Sequence, residues 1–255
     1  MTIMEIVKDS LRYPFSDWKK ILILGIFLVF NSIAGEKDIV SLLGITNATV
    51  LWFFLIIGPI IGFVVYGYLF RIVKSSVIDI EELPEFNEWF GMFKDGIKIF
   101  IISFVYASPA ILILVLAVLF NPSILSKIAL TPLSFEQILL MQTGIVGSIA
   151  SLYLIIIFPI GLMAIAYMAY NNSKLRAAFR FSEILKKIKN IGWANLIEWY
   201  LVIGFILLIL TTIAVVISFI FFPIIHILDI VIELTLIPYI SMYFVRSLAL
   251  FYKSE

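Results

Sequence analysis

The stretch from Leu83 to Phe120 constrains the fold more than any other part of the chain. Its first half, LPEFNEWFGMFKDGIKIF, mixes charged and aromatic residues, and its second half, IISFVYASPAILILVLAVLF, carries no charge. About twenty such residues in a helix reach about 30 Å, the hydrocarbon thickness of a bilayer. The stretch therefore predicts an amphipathic entry helix that continues without a break into a transmembrane helix. Four aromatic residues at helical spacing share one face of that entry helix: Phe86, Trp89, Phe90 and Phe93.

The composition extends this prediction to the whole chain. Of the 255 residues, 63% are hydrophobic and 14% are charged, whereas about 25% are charged in an average soluble protein. Too few polar residues remain to cover a water-facing surface, and the apolar runs are continuous rather than alternating. The chain is therefore predicted to be an all-α integral membrane protein that forms a single transmembrane domain over residues 1–255.

Several classes of function are excluded by residue counts. A net charge of +1 predicts no nucleic-acid partner. The chain has no cysteine and one histidine, which excludes a disulfide, a thiolate ligand and a multi-histidine metal site within one chain. No catalytic motif and no phosphate-binding glycine loop is present, so we expect a non-enzymatic protein without a cofactor.

Six apolar runs predict six transmembrane helices. The first is short, over residues 21–34; the next four cover about 50–73, 99–120, 138–170 and 197–222, and the sixth ends near Arg246. The fourth run is too long for one straight span, so it begins outside the bilayer or bends near Pro159. Residues 1–13 predict a short interfacial helix stopped by Pro14. Residues 171–193 predict a basic amphipathic helix with the apolar stripe Phe181, Leu185 and Ile188.

The distribution of positive charge predicts the orientation. With six spans, every Lys and Arg except Lys37 and Lys127 falls on one side of the membrane. Positive residues mark the cytoplasmic side. We therefore expect a protein of the cytoplasmic (plasma) membrane with both termini in the cytoplasm.

A weak internal repeat groups the spans into three helical hairpins, over about 1–75, 76–173 and 174–255. Each hairpin begins with an amphipathic cytoplasmic-face segment that carries a tryptophan, and the three tryptophans are predicted interfacial anchors: Trp18, Trp89 and Trp193. The alternative is that such anchors occur in any membrane protein. In the second span, Gly58 and Gly62 have the small-xxx-small spacing of a close helix contact, which apolar composition alone can also produce.

Three blocks of sequence resemble one known family. They are LRYPFSDWKK (Leu11–Lys20), GYLFRIVKSS (Gly67–Ser76) and ELPEFNEWFGMFKDGIK (Glu82–Lys98). In these blocks the chain is similar to a largely archaeal family of multi-pass membrane proteins known as domain of unknown function 4013. The resemblance implies an archaeal cytoplasmic-membrane location and no established activity.

One polar cluster interrupts the last apolar run. His226, Asp229 and Glu233 are spaced to share one helix face. Ionisable groups at membrane depth are costly and often functional, so these residues are candidates for a proton or cation site. The alternative is the wet stripe of an interfacial helix outside the lipid.

A second group of candidates is basic. Lys186, Lys187 and Lys189 give the amphipathic helix the charge density that attracts anionic lipid headgroups. Arg71 and Arg246 can each hold a lipid phosphate through two parallel hydrogen bonds, or can serve as simple anchors at the membrane surface.

These features favour a protein that binds or transports a lipid or a small apolar solute between its hairpins. The alternative is a structural or accessory subunit that recruits partners through its interfacial helices and the acidic segment 79–95. The expected partners are membrane lipids, together with a second copy of the chain or another membrane protein.

Overall fold

The computed structural model describes residues 1–32, 48–120, 145–220 and 225–254. Eight α-helices and two short 3₁₀ turns, Tyr13–Ser16 and Leu175–Phe179, make up most of this described part. The helices are α1 (Ile3–Arg12), α2 (Trp18–Ser32), α3 (Ala48–Val77), α4 (Trp89–Leu119), α5 (Ile145–Tyr170), α6 (Phe181–Ile191), α7 (Trp193–Ile220) and α8 (Ile225–Lys253).

Five of the described helices are long and apolar enough to cross a membrane. Their candidate spans are Trp52–Val77, Trp89–Ala117, Gly147–Tyr170, Trp193–Ile217 and Ile230–Lys253. The chain is thus a multi-pass helical membrane protein, as the composition predicted. The count of six is not confirmed, because α2 has 15 described residues and so reaches only about 22 Å. Residues 33–47, which follow α2, lie outside the described part.

The predicted entry helix is wrong over its first six residues. The helix begins at Trp89, and residues 78–88 form a non-helical segment, here named the strap. Pro84 disfavours a helical conformation at Leu83, and Glu88 has a positive φ of 50°. Phe86 therefore does not share a helix face with Trp89. From Trp89 onward the helix is continuous to Leu119, as predicted.

The internal contacts divide the chain into two compact units, residues 1–100 with 163–255 and residues 101–162. In the first unit, α2, α3 and α8 pack against one another, while α1 and α7 pack on α8. In the second unit, Ala110, Leu114 and Ala150 form a small buried cluster. Beside it, the Tyr153 hydroxyl donates to the Tyr106 carbonyl at 3.0 Å.

Two glycines bring α3 and the first turns of α4 into close contact. A Cβ atom at Gly67 would lie 1.8 Å from the carbonyl oxygen of Met92, and one at Gly96 would lie 1.8 Å from that of Phe63. No side chain fits at either position. Each helix therefore presents a glycine to the backbone of the other, the device by which helices approach closely in lipid.

The Gly58 and Gly62 pair is a true helix contact. A Cβ at Gly58 would lie 3.2 Å from the Asn31 carbonyl oxygen, and one at Gly62 would lie 2.8 Å from the Asn31 side-chain oxygen. The small-xxx-small pattern thus marks where α3 meets the end of α2. Gly25 of α2 approaches α8 in a similar way, since a Cβ at Gly25 would lie 2.2 Å from the Leu234 carbonyl oxygen of α8.

The amphipathic helix of the basic segment forms, but its buried stripe differs from the prediction. Ile184, Ile188 and Ile191 are buried, whereas Phe181 and Leu185 are exposed. The helix has apolar residues on two neighbouring faces, and the isoleucine face is the one that packs. α1 ends at Arg12 before the turn that contains Pro14, as predicted.

Candidate functional site

The strap is held by side chains that donate hydrogen bonds to its main-chain carbonyls. The donors come from the turn after α1 and from α2, α3 and α8. With donor–acceptor distances, the bonds are Arg246 to Ile80 (3.1 Å), Tyr13 to Glu82 (3.2 Å), Lys20 to Leu83 (2.8 Å), Tyr68 to Pro84 (3.2 Å), and Arg71 to Asn87 (2.6 Å) and Glu88 (3.2 Å). The main-chain carbonyls of a non-helical segment have no helix hydrogen bonds, so burying them without such donors would be costly. The strap is therefore a built element that joins four parts of the first unit.

Arg71 of α3, a predicted lipid-headgroup ligand, contacts the strap. Its guanidinium donates to the side-chain oxygen of Asn87 at 2.8 Å and forms an ion pair with Glu88 at 3.0 Å. Its donors are thus used within the protein in this structure, and headgroup binding by Arg71 stays a prediction.

Arg246 is a buried hub at the same end of the bundle. Its Nε donates to Asp9 of α1 at 2.9 Å and its Nη1 donates to Ser76 of α3 at 3.0 Å. The guanidinium also lies 4.5 Å from the centre of the Tyr13 ring, a cation–π distance. Burial raises the pKa of Tyr13 above its ordinary value. Arg246 thus ties α1, α3 and the strap to α8, and its predicted contact with lipid stays untested.

A basic cleft of about 500 Å³ lies beside the strap and is a candidate binding site. It is formed by the ends of α3, α5 and α8 and by one face of α6. Its lining residues are Val77, Tyr167, Tyr170, Glu183, Lys186, Lys187, Asn190, Tyr252 and Lys253. Two of the predicted headgroup lysines, Lys186 and Lys187, are therefore in the cleft. The third, Lys189, is exposed on α6 and does not line it.

The cleft carries a net charge of +2, from three lysines and one glutamate. Lys253 forms an ion pair with Asp79 of the strap, which links the cleft to that segment. The Lys187 ammonium lies 4.9 Å from the centre of the Tyr252 ring, and the Tyr170 ring packs against the same tyrosine at 6.0 Å. Cations held at an aromatic wall form a site suited to an anion.

Glu183 anchors α6 to the end of α5. The Tyr167 hydroxyl donates a hydrogen bond to its carboxylate, and this bond lowers the pKa of Glu183 below its ordinary value. The nearby Arg180, with its Nη1 at 3.4 Å, acts in the same direction. Glu183 is therefore held as a carboxylate at the wall of the cleft.

A second cleft, of about 360 Å³, lies over the polar face of α1. Its charged lining residues are three carboxylates and three cations: Glu5, Asp9, Glu81, Lys8, Arg12 and Arg246. Their charges balance, so this cleft does not select the charge of a ligand. Among the described residues, no group of three or more His, Asp or Glu side chains is placed to hold a metal ion.

The predicted proton or cation site lies partly outside what the structure describes. His226 and Asp229 are on α8, but their side chains are not among those described. Glu233 accepts a hydrogen bond from the Ser32 hydroxyl of α2 at 2.8 Å. A role in proton or cation binding stays a prediction.

The three predicted tryptophan anchors occupy equivalent positions. Trp18, Trp89 and Trp193 are each the first residue of a helix, α2, α4 and α7, and each is exposed. Trp89 also packs edge-on against Phe27 of α2. The positions fit interfacial tryptophans, although the anchoring role and the hairpin repeat stay predictions.

Several residues of the cleft were missed by sequence reasoning. Tyr167 and Tyr170 lie at the end of an apolar run and gave no indication of a binding site. Tyr252, Lys253 and Asn190 carried no signal, because they reach the cleft from helices far apart in sequence.

Comparison with known proteins identifies a family. A family profile described as "Protein of unknown function (DUF4013)" matches residues 50–222. No curated protein and no solved structure matches the chain.

Proposed function

The chain belongs to the DUF4013 family, and we propose that it is a membrane protein that binds an anionic lipid in the basic cleft. The observation that carries the proposal is the position of the cleft at the ends of three candidate membrane spans. Val77, Tyr170 and Lys253 are the last residues of three candidate spans, and all three line the cleft. Headgroups lie at the ends of spans.

The charge of the cleft favours an anion. Lys186 and Lys187 lie on consecutive positions of α6, whose isoleucine face is buried and so fixes the orientation of the helix. Lys253 adds a third ammonium from α8. Basic residues near a membrane surface contribute about 1 kcal/mol each to attraction for anionic lipids, and direct bonds to a phosphate add to this.

The groups of the cleft support binding. The lining residues offer ammonium, hydroxyl, amide and carboxylate groups, and the ammonium and hydroxyl groups can hold a phosphate. Movement of the bound lipid across the membrane would be a further step. It would rest on the candidate spans and their glycine contacts, and we regard it as an extension of the binding role.

Native mass spectrometry of the gently extracted protein tests the proposal. We expect one anionic lipid retained on the monomer or on a small homo-oligomer. Its retention should be lost in Lys186→Gln/Lys187→Gln and kept in Lys174→Gln/Lys189→Gln. The second variant removes the same charge from outside the cleft lining. Retention of zwitterionic lipid alone, or of no lipid, would contradict the proposal.

One observation favours the alternative role of an accessory subunit. The strap carboxylates of Asp79 and Glu88 form ion pairs, yet their side chains are 83% and 80% exposed. An acidic exposed segment on a fixed backbone is a surface to which a basic partner can dock. A stoichiometric second protein in the same mass spectra, lost on replacing Asp79 by Asn and Glu88 by Gln, would support this role instead.

A further inference from the structure

We propose that the headgroup bound in the basic cleft is a phosphate that carries a sugar or another polyol. This inference rests on the proposed lipid binding and names the chemical class of the ligand. The cleft contains groups that the binding of a simple phosphate does not require, and the inference is drawn from these groups.

The first of these groups is the Glu183 carboxylate. It opposes a bare anion in a cleft of net charge +2, since it repels the phosphate that the lysines attract. Tyr167 donates one hydrogen bond to it, and its lowered pKa keeps it ionised. A carboxylate has about four acceptor positions, so it can accept further bonds from ligand hydroxyls. An acceptor beside a phosphate site fits a headgroup that has donors of its own.

The second group is the aromatic and amide wall. Tyr170 and Tyr252 pack together at a centroid distance of 6.0 Å, and Asn190 lies on the same cleft. An amide offers both a donor and an acceptor, and a tyrosine hydroxyl does the same. Such groups match the hydroxyls of a polyol, and ring faces match the C–H faces of a sugar. A volume of about 500 Å³ leaves room for a ring beside a phosphate.

The same cleft disfavours headgroups that end in an amine. A choline or ethanolamine group would bring a cation among Lys186, Lys187 and Lys253, and like charges at close range are unfavourable. The carboxylates of Glu183 and of Asp79, which pairs with Lys253, do not fully offset the three ammonium groups.

Lipid binding in mixed micelles separates this inference from simple charge attraction. The purified protein in detergent is titrated with phosphatidylcholine that contains phosphatidylinositol or phosphatidic acid at equal mole fraction. Phosphatidic acid carries the more charged phosphate but no hydroxyls on its headgroup. A cleft that recognises charge alone binds phosphatidic acid at least as tightly as phosphatidylinositol. A polyol cleft binds phosphatidylinositol more tightly, by about fivefold for each net hydrogen bond gained.

Two variants assign the preference to named groups. Glu183→Gln and Asn190→Ala should each reduce the ratio of phosphatidylinositol to phosphatidic acid affinity by about fivefold. Glu81→Gln, outside the cleft lining, should leave the ratio unchanged. Size-exclusion chromatography and circular dichroism establish that each variant is folded. A folded Glu183→Gln and a folded Asn190→Ala that both keep the wild-type ratio would overturn the inference.

The outcomes distinguish the two proposals. Equal or tighter binding of phosphatidic acid would overturn the polyol inference and leave anionic lipid binding in place. No preference for either lipid over phosphatidylcholine alone would overturn both. Competition by soluble inositol 1-phosphate, but not by inorganic phosphate, would support the inference and show that the headgroup suffices. Equal competition by both soluble anions would overturn the polyol preference.

Discussion

The Nε of Arg246 lies 2.9 Å from the Oδ1 of Asp9, so the last helix of the chain is bonded to the first. The arginine side chain is 5% exposed, and that of Asp9 is 38% exposed. The same guanidinium holds Ser76 and the Ile80 carbonyl. One side chain therefore fixes the position of α1, the end of α3 and the start of the strap.

Replacement of Arg246 by methionine should destabilise the fold. It leaves the Asp9 carboxylate and the Ile80 carbonyl without their donor at a partly buried place. We expect a loss on the order of 3 kcal/mol, at the low end for a buried ion pair because Asp9 is partly exposed. The free energy of unfolding in mixed micelles measures this loss. Lys8→Met, an exposed position on α1, is the matched control, and an equal loss in both variants would contradict the role of Arg246.

Alanine at Gly67 or Gly96 should separate α3 from α4. The new Cβ would meet a backbone carbonyl oxygen at 1.8 Å in either case, so the helices themselves must move. Overpacking of this kind costs about 3 kcal/mol or more. Gly204→Ala is the control, because a Cβ there meets nothing within 4 Å, and it should leave stability unchanged or raise it by up to about 1 kcal/mol. Thermal unfolding in detergent compares the three variants, and equal shifts would rule out the close contact.

The apolar runs were predictable from sequence because their signal is local. A run such as IISFVYASPAILILVLAVLF shows its length and lack of charge directly, and the structure has a helix there. The small-xxx-small pair Gly58 and Gly62 also lies within one turn of helix. Its partner Asn31 could not be predicted, because the pattern does not indicate which helix packs against the two glycines.

The strap was not predictable for the opposite reason. Phe86, Trp89, Phe90 and Phe93 have helical spacing, yet Phe86 stacks flat on Tyr68 of α3 with a centroid distance of 3.8 Å. The donors that hold the strap come from distant parts of the chain, such as Lys20 and Arg246. The spacing of residues along the sequence does not indicate any of these hydrogen bonds. The basic cleft could not be predicted for the same reason, since only its lysines on α6 form a pattern along the chain.

Removal of the Tyr167 hydroxyl should raise the pKa of Glu183. The hydrogen bond from Tyr167 is the main cause that holds this pKa below its ordinary value. The bond stabilises the docking of α6 at pH values above the ordinary carboxyl pKa, and this contribution is lost as the pH falls through the lowered pKa. Carboxyl ¹³C NMR of labelled protein in micelles gives the pKa of Glu183 in wild type and in Tyr167→Phe. Tyr170→Phe serves as the control, and an unchanged value in Tyr167→Phe would refute the assignment.

The predicted topology can be tested with single cysteines, because the chain has none of its own. Cysteines at Ser182 and Ser254 should be protected from a membrane-impermeant maleimide added to intact cells, since the distribution of positive charge predicts that the basic segment 171–193 and the C-terminus lie in the cytoplasm. Cysteines at Lys37 and Lys127 should be labelled. Labelling of Ser254→Cys in intact cells would contradict a cytoplasmic C-terminus.

The most direct test of the central claim is the affinity of the purified protein for one anionic lipid in detergent solution. Lys186→Gln/Lys187→Gln should lower the affinity for phosphatidylinositol by at least about tenfold, because charge-assisted hydrogen bonds contribute about 1.5–3 kcal/mol each. Lys174→Gln/Lys189→Gln removes the same charge from positions that do not line the cleft, and it should change the affinity by less than about threefold. Equal losses in the two double variants would show a general attraction to a basic surface, and would contradict a lipid site in the cleft.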